Sequence, residues 1–175
     1  MTETNTDQAY QMIEDFARRW AAAWNERDPD AVAALCHRDI EWNDPAARRV
    51  LRGTADVREW VRKNLDTFPD AVFDTVGVYT DPSGSSAALT WRMEGRFLGP
   101  LDPPGFAPTG RRVRVDGVDI CRFEDGSLRS LQMIYDGNDV AVQAGLSPPP
   151  GSRAERVMVA GQRLAAGMRA RLRRR

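Results

Sequence analysis

Histidine is almost missing from this chain. Among 175 residues there is one, His37, beside two cysteines, Cys36 and Cys121. A zinc site needs three or four clustered nitrogen, sulfur or carboxylate ligands. One histidine and two scattered cysteines supply no such cluster, so no metal is expected. The two thiols read as small buried hydrophobes rather than as a disulfide. Neither common glycine-rich phosphate loop is present, so no nucleotide and no other cofactor is expected. No run of eighteen apolar residues exists, which argues against a membrane span. The start, MTETNTDQAY, lacks the basic and apolar regions of a secretory signal, and the cytoplasm is the expected address. Lysine is scarce too: of 25 basic residues only Lys63 is a lysine. That bias reads as base composition and carries no functional meaning.

What is present suits one domain with a tail. Hydrophobic residues make up 42% and charged residues 29%, the balance of a soluble globular protein. The domain is expected over residues 1–147, and residues 148–175 form a proline-rich breaker and a basic amphipathic tail. Net charge is zero but unevenly spread. Residues 152–175 hold eight arginines against Glu155, so they carry +7 and the remainder −7.

Hydrophobic spacing predicts the elements. Ile13, Phe16, Ala17, Trp20 and Trp24 form one face of a helix over 7–27. Asp28 is a candidate N-cap, with Pro29 opening a short helix that turns Val32, Leu35 and Cys36 inward. His37 is expected to cap its C-terminal end. Residues 40–44 read as a short strand stopped by Pro45. Thr54 is the expected N-cap of a third helix carrying Val57, Trp60, Val61 and Leu65. Strands follow at 71–80, 86–97, 111–123 and 128–135. Asp81-Pro82-Ser83-Gly84 turns the first pair and Glu124-Asp125-Gly126-Ser127 the last. Residues 98–110, with four prolines and three glycines, form a loop over a rim. Asp136 and Asp139 begin a terminal helix. Helices first and an antiparallel meander after is the α+β pattern. A curved antiparallel sheet wrapped around a long N-terminal helix makes a cone that encloses one small-molecule cavity. Beyond Pro148-Pro149-Pro150-Gly151, Val157, Gly161, Leu164, Met168 and Leu172 share a helical face among arginines. That tail reads as a solvated appendage, as a segment docked on the barrel or a partner subunit, or as a contact for anionic membrane or nucleic acid. The first is preferred, and no nucleic-acid partner is expected.

Two aspartates stand out. Strand 111–123 alternates, and period two puts Asp119 on the face of Val113, Val115, Cys121 and Phe123. A carboxyl among apolar neighbours is costly when ionised, so its pKa should rise and a neutral acid could donate to a substrate oxygen. The alternative is a bond to a backbone amide at a bulge near Gly117. Asp44 ends its strand before Pro45, either projecting into the cavity or forming an ordinary turn. Trp20, Trp24, Trp42, Trp60 and Trp91 are core or pocket wall.

Trp20-Ala-Ala-Ala-Trp24-Asn25, Asp28-Pro-Asp30, Trp42-Asn43-Asp44-Pro45, Asp119-Ile-Cys-Arg122-Phe123 and Ser130-Leu-Gln-Met-Ile-Tyr135 resemble the ketosteroid isomerases, within the nuclear transport factor 2-like superfamily. The same stretches resemble the SnoaL-like polyketide cyclases. Phe68-Pro69-Asp70, Pro108-Thr109-Gly110-Arg111-Arg112-Val113 and Gln143-Ala144-Gly145-Leu146 lean toward the cyclases. The resemblance spans residues 10–146. It implies Asp44 as general base and Asp119 as the protonated acid that holds an enolate oxygen. It implies a pocket lined by Trp20, Trp24, Trp42, Trp60, Met133 and Tyr135, a hydrophobic small-molecule ligand, and a homodimer. The isomerases' oxyanion tyrosine falls at Trp20, whose indole donates one hydrogen bond. The acid/base aspartate of the cyclases and epoxide hydrolases falls at Met133, which transfers no proton. The leading expectation is a cofactor-independent isomerase, cyclase or dehydratase of a hydrophobic carbonyl compound, steroid-like or polyketide-like. A non-catalytic binder of apolar ligands, an epoxide hydrolase or epoxide-opening cyclase, and an interaction protein are the alternatives.

Overall fold

A computed structural model describes residues 2–102 and 104–172. Arg173, Arg174 and Arg175 of the expected basic tail, and Pro103 of the rim loop, lie outside the described residues. The elements run α1 (Thr2–Asn25), α2 (Pro29–Ala34), β1 (Cys36–Asn43), β2 (Leu51–Arg52), α3 (Gly53–Thr67), β3 (Val72–Thr80), β4 (Ser86–Arg96), β5 (Arg112–Glu124), β6 (Ser127–Tyr135), α4 (Gly137–Gln143) and α5 (Arg153–Leu172).

The strands form one sheet in the order β2-β1-β6-β5-β4-β3. Neighbours are antiparallel except β1 and β6, which run parallel. The antiparallel expectation fails at this one pair. No short turn links β1 to β6, so no hairpin dictates their relative sense. The short β2 was not foreseen either. It pairs only Glu41 with Arg52 and Trp42 with Leu51. β1 starts at Cys36 rather than at residue 40, because Leu35 closes α2 directly.

Local chemistry explains most boundaries. Asp28 caps α2, its carboxylate accepting from the N–H groups of Asp30 and Ala31. Asp125 and Gly126 both take positive φ, the geometry of a two-residue hairpin turn that matches strand twist. Asp136 caps α4 in the same manner as Asp28. Two capping expectations fail. Thr54 is not the cap of α3: Arg52 occupies that position, and Asp56 reaches back to accept its N–H at 2.9 Å. His37 lies within β1, where its Nδ1 accepts from the Asp39 N–H.

The first helix packs its predicted face inward. Ile13, Phe16, Ala17, Trp20 and Trp24 are buried and meet Trp42, Leu89, Cys121 and Leu131 of the sheet in one core. A second cluster of Ala71, Met93, Phe97, Val113, Val115 and Ala144 fills the other end. Burying a tryptophan removes on the order of 200 Å² from water, a gross gain of roughly 5 kcal/mol. Exposed ion pairs such as Arg18–Asp15 contribute at most about 1 kcal/mol each. The aromatic core therefore holds α1 to the sheet. Asn25 fixes the register, exchanging two 2.8 Å hydrogen bonds with the backbone of Phe73.

Candidate active site

The cavity sits at the seam between the two core clusters. It encloses about 110 Å³ between α3, the inner face of the sheet, α4 and the loop after β4. That is room for several waters and less than drug-sized pockets of about 300 Å³ and above. Its walls are apolar, and its polar members are Asp44, Asn64 and Tyr135. Leu101 closes it from the rim loop. That loop is pinned to α3: Leu98 and Gly99 donate to Thr67 O, and the Thr67 hydroxyl donates to Pro100 O. Only glycine fits at 99, where a Cβ would lie 2.0 Å from Asp66 O.

Asp44 follows the end of β1 and is 6% exposed. Its Oδ1 accepts from the Ala46 N–H at 2.8 Å and the Tyr135 hydroxyl at 3.0 Å. Its Oδ2 accepts the Trp60 indole N–H at 2.9 Å. The Ala46 bond is the turn geometry that Asp-Pro favours. The same side chain thus makes the turn and faces the cavity. A carboxylate has about four acceptor positions, so three donors leave one open. Burial, followed by the Asp44 charge and hydrogen bond, pushes the Tyr135 phenol well above its ordinary pKa. Tyr135 is therefore a protonated donor at any physiological pH.

Asp119 is 1% exposed and lines a smaller neighbouring cavity of about 30 Å³ together with Trp20. Burial, opposed by a hydrogen bond from Trp91 and reinforced by the Asp44 charge, raises its pKa to about 7. The anticipated inward alternation of β5 is present. The anticipated alternative, a backbone amide at a bulge near Gly117, is not. The β4–β5 ladder runs unbroken through Gly117, and Asp119 Oδ1 accepts instead from the Trp91 indole at 2.8 Å.

Trp24, Phe73, Trp91 and Met133 line both cavities and form the wall between them. Trp60 lines neither cavity and instead supports Asp44 through its indole hydrogen bond. Trp42 is fully buried between Trp20 and Trp24 and belongs to neither lining. Its indole N–H has no acceptor. Hydrophobic spacing does not single out Trp91 from the other tryptophans. Its signal was the glycine opposite it in the β4–β5 ladder. Burial pushes the Cys36 thiol up to about 12 and also holds the Cys121 thiol well above its ordinary value, so both behave as apolar groups. Among the described residues no cluster of three histidines, cysteines or carboxylates has metal-site geometry.

The model of the SnoaL-like domain family matches residues 17–131, which span α1 to β6. The chain belongs to the SnoaL-like family. Among solved SnoaL-like and related structures, it is similar to TsrD from Streptomyces laurentii, with 25% identity, a TM-score of 0.68, and coverage of 78% of this chain and 97% of that one. It is similar in fold to a candidate SnoaL-like polyketide cyclase from a Jannaschia species, at 15% identity and TM-score 0.67, covering 79% and 95% of the two chains. It is also similar in fold to the epoxide hydrolase/cyclase-like enzyme SalBIII, which has a role in pyran ring formation in the polyether salinomycin. There the identity is 22%, the TM-score 0.61, and the coverage 74% and 94%. No curated protein matches the sequence.

Proposed function

We propose that the protein is a cofactor-independent enzyme of the cyclase or isomerase type, acting on a compact hydrophobic carbonyl compound. The carrying observation is that Asp44 and Tyr135 are hydrogen-bonded to each other and line the same apolar cavity. Asp44 takes a proton from the carbon beside the substrate carbonyl through its open acceptor position. The electron pair of that C–H bond becomes the enolate, and negative charge develops on oxygen. Once Asp44 is protonated it needs fewer donors, and the Tyr135 hydroxyl can turn to the enolate oxygen. Asp119, buried and protonated in a substantial fraction of molecules near pH 7, is the second acid, and its raised pKa supports that role. The wall that separates it from Asp44 consists of side chains, with the flexible Met133 among them. The enolate then attacks a second carbonyl of the same molecule or is reprotonated at a different carbon, with Asp44 returning the proton. We also propose that the protein forms a homodimer.

The test is deuterium exchange into the carbon beside the carbonyl of a small bicyclic ketone such as 2-tetralone, followed by NMR. Wild type should accelerate exchange, and Asp44→Asn should lose that acceleration. Tyr135→Phe should slow it on the order of 100-fold. Equal exchange by wild type and Asp44→Asn would remove Asp44 as the base.

The three donors on Asp44 favour a second reading, a non-catalytic binder of an apolar ligand. A carboxylate so fully engaged holds the cavity wall in place without chemistry. Quenching of tryptophan fluorescence by the ketone, with no exchange in any variant, would select this reading.

A further inference from the structure

The last helix does not pack on the domain. Val157, Leu164 and Met168 of α5 are 73%, 67% and 54% exposed, and Met158 and Val159 are exposed as well. Exposed apolar residues gathered on one surface mark a contact site. At 3.6 residues per turn, Val157, Gly161, Leu164 and Met168 fall on one stripe. Arg153, Arg156 and Arg163 flank one side of the stripe and Arg169 the other.

The start of the helix removes its one negative charge from play. Ser152 Oγ accepts the Glu155 N–H at 3.1 Å, and the Glu155 carboxylate accepts the Gly151 N–H. This is a reciprocal cap of the capping-box kind. Glu155 is committed to it, so the remaining charge of the segment is all arginine. The segment carries +7 in 24 residues. Pro148, Pro149 and Pro150 stand between α4 and α5 as a stiff spacer.

We propose that α5 is a docking helix for an anionic lipid bilayer surface, lying in the headgroup plane with the Val157–Leu164–Met168 stripe turned toward the acyl chains. Charge complementarity selects this occupant. Two copies of this arginine-rich segment repel one another, which disfavours pairing of α5 with a second chain. Nucleic acid would match the arginines but offers nothing to the apolar stripe. A bilayer with acidic headgroups satisfies both faces at once. No described helix is long and apolar enough to cross a membrane, so α5 lies on the surface rather than spanning it. The domain would then hold its cavity close to a lipid phase, where apolar ligands concentrate.

The experiment is co-sedimentation of the full chain with vesicles of phosphatidylcholine, with and without about 30% phosphatidylserine. Two full-length variants are compared. One replaces the stripe (Val157→Gln, Leu164→Gln, Met168→Gln); the other replaces the charge (Arg153→Gln, Arg156→Gln, Arg163→Gln, Arg169→Gln). Glutamine keeps helix propensity, and a circular dichroism spectrum checks it. The wild type should prefer the anionic vesicles at least about tenfold, lose the preference near 0.5 M salt, where screening is strong, and lose it in both variants. Equal partition to both vesicle types, or a stripe variant that binds as well as wild type, overturns the proposal. Retention of a duplex of about 20 base pairs by wild type and stripe variant alike, without vesicle binding, also overturns it, in favour of nucleic acid. None of these readouts depends on catalysis.

Discussion

The indole N–H of Trp91 donates to Asp119 Oδ1 at 2.8 Å, although the two residues are not opposite each other in the sheet. Trp91 pairs with Gly117. Because Gly117 has no side chain, the indole lies flat across the strand and reaches the carboxyl two residues along. A Cβ at 117 would lie 2.3 Å from the ring.

Gly117→Ala should therefore displace the indole and break this hydrogen bond, at an overpacking cost of about 1–3 kcal/mol. Urea unfolding measures it. Trp91→Phe removes the donor and much of the obstacle, so Gly117→Ala should cost less in that background. Additive losses would show that the two residues do not act together.

Stability should fall as pH rises from about 4 to about 7. The unfolded chain releases the Asp119 proton near the ordinary aspartate value, about 4. The folded protein keeps it to about 7. Between those values the folded state binds the extra proton, so deprotonating conditions favour unfolding, and the slope vanishes above pH 7. Asp119→Asn cannot ionise and should flatten this part of the profile. Thermal unfolding across the pH range gives the answer, and an unchanged slope in the variant would assign the effect elsewhere.

Tyr135→Phe leaves Asp44 Oδ1 with the Ala46 N–H alone and should cost roughly 1.5–3 kcal/mol, the range for a hydrogen bond to a charged group. Trp60→Phe removes the donor to Oδ2 and should cost a similar amount plus the packing lost with the indole. Chemical denaturation of the two single variants and the double variant should show coupling, because all three groups share one carboxylate.

Met133→Ala should merge the two cavities, since Met133 lines both. Shortening such a side chain costs about 2–5 kcal/mol. The enlarged space should also admit larger apolar ligands. Fluorescence titration with a one-ring and a two-ring ketone reads this as a shift of preference toward the larger.

Much of the architecture was legible because it depends on short-range rules. Apolar residues at three- and four-residue spacing marked α1, the Asp28-Pro29 pair started α2, and Asp125-Gly126 turned the last hairpin. Alternation along β5 put Asp119 inward. The failures were local competitions with more than one outcome. At the start of α3, Asp56 served as the cap partner in place of Thr54. At residue 37, β1 begins directly after α2, so His37 lies in the strand rather than at the helix end.

The sequence by itself determined the α+β layout, the inward side of β5 and the presence of Asp119 among apolar residues, and it left Asp44 between a turn and the cavity. Only the tertiary structure decided which donor meets which acid. Trp60 and Tyr135 reach Asp44 from α3 and β6, and Trp91 reaches Asp119 across Gly117. Five tryptophans with similar surroundings in sequence cannot be told apart by pattern. Their roles follow from sheet register and helix packing, which join residues tens of positions apart. The parallel pairing of β1 with β6 and the side-chain wall between the two cavities are decided at the same long range.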